Sequence, residues 1–214
     1  ITLGGIVQKS GGASVIIAGG SGPYTLTLGI TGANTFLAAA NITTGRTLTV
    51  NAVIAGTAGR NLVLAGPATS DIGTINLGGA NTFSGTTSFS AGGTGGARAS
   101  LNNRFALQNS TVILSADANL IFDSSVSTNA FTFGGLAASS AGTNLALRNN
   151  NASTPIALTV GGNHSNTTYK GVLSAGGSLI KTGGGDWAIN GASNYAGTTE
   201  ISAGSLTISD GAAL

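Results

Sequence analysis

This chain repeats itself, and the copies do not fall at a constant interval. Residues 177–204, GSLIKTGGGDWAINGASNYAGTTEISAG, hold two short apolar runs, two glycine-rich turns and an Asn-aromatic pair. Residues 5–19 overlay the first half of this stretch without gaps, and residues 79–92 overlay the second half. Gly32-Ala33-Asn34-Thr35-Phe36 followed by Ile42-Thr43-Thr44-Gly45 is a third, worn copy of that second half. Head-to-tail self-similarity signals an array in which each unit buries its apolar face on a neighbour. The Gly-Ala motif recurs at Gly32, Gly79 and Gly191, intervals that share no common divisor of coil size; insertions into individual coils would account for this.

The units are strands. Tyr24, Leu26, Leu28 and Ile30 alternate with Thr and Gly; Leu48/Val50 around Thr49, Leu62/Leu64 around Val63 and Ile75/Leu77 around Asn76 repeat the spacing. The pattern returns at Val112/Leu114, Leu120/Phe122, Phe131/Phe133, Leu145/Leu147 and Leu158/Val160. Period-two alternation marks a strand with one buried face. Turns are marked at Ser10-Gly11-Gly12, at Gly66-Pro67, at Asn149-Asn150-Asn151 and over 163–166, since Asn and Gly accept left-handed backbone. No apolar pattern of helical period runs for a dozen residues; Asp117-Ala118-Asn119-Leu120 makes one helical turn at most. The glycine-rich stretch 92–103 reads as a solvent-facing loop.

Strands every 8–12 residues also suit a sandwich or a barrel. Three features favour a parallel β-helix instead. The repeats run head to tail, charged residues are only 7%, and Thr, Ser and Asn fill the outward positions. Small uncharged side chains tolerate identical neighbours in the strands above and below, where a charged ladder repels itself. The fold expected is all-β: a right-handed parallel β-helix, one continuous β-solenoid over 1–214. Its clearest repeat is 177–208, with partial copies at 5–19, 32–45 and 73–92. A coil of about 20 residues gives about ten coils. The chain opens on Ile1 with no initiator Met or signal h-region, and reads as a piece excised from a longer protein.

The order Leu179-Ile180-Lys181-Thr182-Gly183, then Trp187-Ala188-Ile189-Asn190-Gly191-Ala192, Asn194-Tyr195, Gly197-Thr198-Thr199 and Ala203-Gly204-Ser205-Leu206 resembles the autotransporter-associated β-strand repeat, also called the passenger-associated transport repeat. Departures are Ser193-Asn194 for Asn-Thr, Trp187 for Leu, and residues 37–40 replacing the Gly-x-Thr element. The resemblance implies a parallel β-helix in a secreted or surface-displayed, outer-membrane-associated bacterial protein. There it would serve as a non-enzymatic stalk or fibre segment, with any activity in other domains or on inserted loops. The alternative is an adhesin holding a host surface or glycan through insertions such as 92–103 or 149–153. The partners expected are the chain itself, end to end or side by side, or a cell-surface glycan or protein. Membrane contact is expected only through regions outside this piece.

Chemistry-bearing residues are sparse, and no catalytic, cofactor or metal site is expected. The eight cations (Lys9, Arg46, Arg60, Arg98, Arg104, Arg148, Lys170, Lys181) stand singly, which argues against nucleic acid. His164, the one histidine, sits in an Asn-rich turn without a nucleophile or carboxylate beside it. A polysaccharide-cleaving groove needs gathered carboxylates. Asp71, Asp117, Asp123, Asp186, Glu200 and Asp210 are dispersed, although stacking could bring Asp117 to Asp123 or Glu200 to Asp210. Gly183-Gly184-Gly185-Asp186 suggests a calcium turn, but the equivalent Gly11-Gly12-Ala13-Ser14 lacks the acid. Lys9-Ser10 and Lys181-Thr182 echo the end of a phosphate loop without its preceding glycine and read as turns. Asn41, Asn109, Asn151, Asn163 and Asn166 open Asn-x-Ser/Thr triplets of the kind that arise by chance here. Trp187 aligns with a strand position, so core burial is the expectation and sugar stacking the rival.

Overall fold

The computed structural model describes residues 2–3, 5–8, 14–18, 25–29, 34–39, 46–56, 58–66, 73–90, 96–151 and 153–209. Several features singled out above lie outside these residues: the Ser10-Gly11-Gly12 turn, Lys9, Tyr24, Ile30, Pro67, the start and end of the copy at 32–45, Asn41, Asp71 and Asp210.

Among the described residues there are 22 strands and no helix, so none is long and apolar enough to cross a membrane. Strand pairs with parallel strand throughout. The chain therefore coils so that each strand lies on the one a coil earlier, a β-solenoid. The longest stack orders nine strands, from Gly5–Gln8 through Asn34–Ala39, Asn61–Ala65 and Thr86–Ser90 to Thr199–Ile201. A second stack runs Val15–Ile17, Thr47–Val50, Thr74–Leu77, Arg98–Leu101, Asn119–Phe122. A third consists of Thr2–Leu3, Thr25–Leu28 and Val53–Ala55.

Like residues meet in register. Thr2 lies on Thr27 and Leu3 on Leu28; Thr47 on Thr74; Leu77 on Leu101; Thr132 on Thr159; Leu158 on Leu179. Because side chains alternate between faces, one parity of each strand fills the interior. Leu48, Ile75 and Ala99 make one inner column, and Leu62, Thr87 and Val112 make another. Phe122 closes on Phe131 at 4.8 Å and on Phe133 at 6.1 Å between ring centroids. The alternation read from Leu26/Leu28, Leu48/Val50, Leu62/Leu64, Ile75/Leu77, Val112/Leu114, Phe131/Phe133 and Leu158/Val160 places these residues in the core.

Coil length is not uniform. Phe36 pairs with Val63 and Val63 with Ser88, steps of 27 and 25 residues; Lys181 pairs with Ile201, a step of 20. The figure of ten coils presumed 20 residues throughout, whereas most steps of the longest stack are longer. Two long strands, Leu107–Leu114 and Ala130–Ala138, each turn a corner. The first half of Ala130–Ala138 carries Ala157–Val160, and its last residue, Ala138, carries Tyr169. Gly134 makes the bend possible, since a Cβ there would sit 2.4 Å from the Asn109 carbonyl carbon.

The stretch 92–103 is not a loop in its described part. Arg98–Leu101 is a strand of the second stack, and Ala97, Ala99 and Leu101 are buried. Alanine, a weak marker of strand periodicity, carries the inward positions, so the alternation is hidden. Around Asp117 the chain makes one turn, with Ala118 N–H on Ser115 O at 3.0 Å, and then enters the strand Asn119–Phe122.

Candidate functional site

A solenoid of coils must satisfy its backbone wherever strand pairing stops. Among the described residues, Val53–Ala55, Val172–Ser174 and Asn119–Phe122 each lack a following strand over most of their length, and the sequence deals with the first two. Beyond Val53–Ala55, Asn81 is buried and stitches three coils. Its Oδ1 accepts from Ile54 N–H at 2.8 Å, and its Nδ2 donates to Ala106 O at 2.9 Å. Beyond Val172–Ser174, Ser193 is buried, and its Oγ accepts from Leu173 N–H at 3.1 Å. These are equivalent positions of the repeat, so the departure Ser193-Asn194 keeps the acceptor and gives up the upward donor.

The glycines flanking them explain the rest of the motif. A Cβ on Gly79 would lie 2.5 Å from Ala52 O, and on Gly191 1.8 Å from Gly171 O. A Cβ on Gly85 would lie 1.9 Å from Arg60 O, and one on Gly197 2.2 Å from Gly177 O. Gly191→Ala should therefore destabilise the chain by about 1–3 kcal/mol, since the facing atom is backbone and cannot rotate away. Gly142→Ala, whose Cβ would meet nothing nearer than Ser140 Oγ at 3.6 Å, should stay within about 0.5 kcal/mol. Urea midpoints of the two variants test the pair.

The third break is left open. The second stack ends at Asn119–Phe122, and Asn144–Ala146 pairs only with Val172–Ser174 above it. One parallel bridge, Phe122 with Asn149, joins the two edges, with Asn150 N–H donating to Phe122 O at 3.0 Å. From that hinge the edges diverge around a cavity of about 350 Å³, lined by Asn119, Leu120, Ile121, Ala146, Arg148 and Ser153, with Phe122, Asn149 and Asn150 at the closed end.

The closed end is tightly held. Asn149 Nδ2 donates to Asn129 Oδ1 at 2.8 Å, and Asn149 Oδ1 accepts from Asn151 N–H at 2.9 Å. Asn150 Nδ2 donates to Asp123 Oδ2 at 3.0 Å, and its Oδ1 accepts from Ser124 N–H at 2.8 Å. Burial alone would raise the Asp123 pKa. Hydrogen bonds from Ser125, Ser100 and Asn150 outweigh it and hold the carboxyl below its usual value. Arg148 Nη1 donates to Ser153 Oγ at 2.8 Å, and Ser153 adopts φ 62. A non-glycine residue in left-handed backbone is a cost that neighbouring contacts must sustain. Here it turns Ser153 onto the guanidinium.

The remaining candidates are used structurally or stand apart. Asp117 and Asp123 flank the four-residue strand Asn119–Phe122 at opposite ends, on the order of 20 Å apart along the chain, so no carboxylate pair forms. Glu200 accepts from Ser202. Asp186 continues a ladder: its N–H donates to Asn166 Oδ1 at 2.8 Å and its carboxylate accepts from Ser205. Among the described residues, no group of three His, Cys, Asp or Glu gathers as a metal site would. His164, exposed with φ 60, accepts from Gly184 N–H through Nδ1 at 2.9 Å. Asn109, Asn151 and Asn166 are exposed, while the Asn163 amide is tied to Thr111 at 2.7 Å. Trp187 is 1% exposed, so it is a core residue and offers no ring to a sugar.

Lys181 is the residue the turn reading missed. It is 1% exposed, and its ammonium donates to Thr182 O at 2.7 Å, Gly183 O at 2.9 Å and Ala203 O at 3.2 Å. Arg148 and Asn119 were likewise invisible as a pair. Only the step of 27 residues from Phe122 to Asn149 brings them together.

The fold and its stitched breaks define a repeat protein of the parallel β-solenoid class. The family model of the passenger-associated-transport-repeat matches residues 70–94 and 179–208, so the chain carries two such repeats. That repeat implies a secreted or surface-exposed bacterial protein. A search of curated proteins found no match, and a search of solved structures found none.

Proposed function

We propose that this segment is a spacer in the passenger of an autotransporter-like surface protein, a right-handed stalk that holds other domains away from the envelope. The hand is the one that parallel strand-to-strand crossovers adopt almost without exception. One observation carries the reading: the outward polar side chains bind their own neighbours a coil away. Asn61 donates to Asn34, Asn76 to Thr49, Ser174 to Asn144 and Ser209 to Asn190. Such a surface adds length with each coil and leaves little side-chain chemistry for other molecules.

The test is a length-matched exchange in the full-length surface protein. Replacing this segment with an unrelated solenoid of the same number of coils should preserve binding or activity by the domains it carries. Deleting it should abolish their reach. A folded, displayed exchange that loses that activity would overturn the spacer reading.

A further inference from the structure

We propose that the open break between Asn119–Phe122 and residues 146–150 is a binding slot for a pyranose sugar bearing a carboxylate. The inference goes beyond the spacer reading: a stalk can carry a lateral site, and failure of either leaves the other standing.

The slot is a gap the fold had means to close. The breaks beyond Val53–Ala55 and Val172–Ser174 are filled by the buried Asn81 and Ser193, whereas this one is bridged only at Phe122 and Asn149. The outer edge of Asn119–Phe122 is consequently free of a partner strand over most of its length. The cavity, about 350 Å³, lies at the small end of the range of ligand pockets, the scale of one sugar ring.

Its chemistry is specific. The exposed Arg148 guanidinium lines the cavity, and the one side-chain bond it makes among the described residues is from Nη1 to Ser153, which leaves donors of a planar fork suited to a carboxylate. The exposed Asn119 amide makes no side-chain hydrogen bond among the described residues and offers both a donor and an acceptor to ring hydroxyls. Ile121, half-buried and on the same strand parity as Asn119, gives an apolar contact for the C–H face of a pyranose, while Leu120 packs inward against the core. Asp123 stands behind Asn150 with its oxygens taken by Ser100, Ser125 and Asn150. Arg148 is the one charged residue among those lining the cavity, which suits a singly charged ligand better than a phosphate or sulfate dianion. The closed end is set in advance by the Asn149–Asn129 and Asn150–Asp123 bonds, so the backbone there needs little ordering on binding.

A nonulosonic acid and a hexuronic acid share this chemistry, and the experiment separates them. Saturation-transfer NMR and calorimetry on the whole 214-residue chain would use N-acetylneuraminic acid, galacturonic acid, galactose and acetate. At least one of the two acids should bind in the millimolar range, with galactose and acetate weaker by about tenfold or more. Arg148→Gln should weaken that acid by about tenfold while leaving the thermal midpoint in place, and Arg148→Lys should recover part of the loss. Absence of binding by both acids at ~10 mM, equal binding of galactose, or undiminished binding by a folded Arg148→Gln chain would each overturn the proposal.

Discussion

Lys181→Met should cost about 3 kcal/mol of stability, read as a lowered urea midpoint with an unchanged slope. Methionine matches the length of the stem and fills the same space, so the loss isolates the ammonium. That group satisfies the Thr182, Gly183 and Ala203 carbonyls, one of them fully inside the wall. Two effects oppose each other. Burial disfavours the charge and pushes the Lys181 pKa down, with the Asp186 carboxylate working against that shift; removing the charge relieves this penalty. The carbonyls, however, remain where they are, and a buried acceptor left without a donor costs about 1–3 kcal/mol by itself. Three lost bonds from a charged donor outweigh one relieved burial. Nor can arginine substitute. Three glycines in left-handed backbone, Gly161 at φ 114, Gly183 at φ 67 and Gly204 at φ 72, pack around the ammonium. A Cβ on Gly204 would already come within 2.7 Å of Nζ, and one on Gly161 within 3.3 Å. Lys181→Arg should therefore be no better than Lys181→Met. A methionine variant as stable as the parent would show that water reaches these carbonyls unaided.

The same residues show what a linear reading can and cannot recover. Strand existence was legible because period-two alternation needs only local information, as at Leu62/Leu64 or Phe131/Phe133. Lys181 was not, because an isolated lysine in a Gly-rich stretch is nearly always solvated, and only the fold shows the carbonyls converging on it. The slot was half legible. Its Asn149-Asn150-Asn151 rim was recognisable as an insertion, but its Arg148–Asn119 wall depends on register between distant coils. The copy beginning at Gly32 shows the sharpest limit. Asn34 and Phe36 read like Asn81 and Phe83, yet Phe36 is 44% exposed in the strand Asn34–Ala39 while Phe83 is 1% exposed at a corner. Identical letters take opposite faces when one copy is extended and the other is bent.

The irregular spacing of the repeat also acquires a cause. At Thr74–Leu77 the motif's leading strand belongs to the second stack, on Thr47–Val50. At Asp186–Ile189 the equivalent strand continues from Thr167–Tyr169, which lies on the corner-turning strand of the longest stack. The two copies therefore sit on different faces of the coil. A unit made of one strand, a stitched corner and the next strand is complete without reference to which face it occupies. Its recurrence need not be a whole number of coils, and insertions are only part of the explanation.

Trp187→Ala should have the largest effect of any single truncation, about 3–5 kcal/mol. The side chain is the largest in the core, lying in register between Thr167 below and Leu206 above. Coils this near the end of the described stack have fewer neighbours to close the space, which places the loss toward the cavity-limited end of the range. The indole N–H makes no hydrogen bond although it is buried, so part of what tryptophan contributes in area is offset by an unpaired donor. Trp187→Phe separates the two terms. It keeps most of the ring volume and removes the orphan N–H, and should cost less than about 1.5 kcal/mol. Chemical denaturation of both variants, followed by far-UV circular dichroism, reads the difference directly. A phenylalanine variant as unstable as the alanine one would mean that the indole N–H has a partner in solution, and that Trp187 is held by polar contact rather than by the apolar column it sits in.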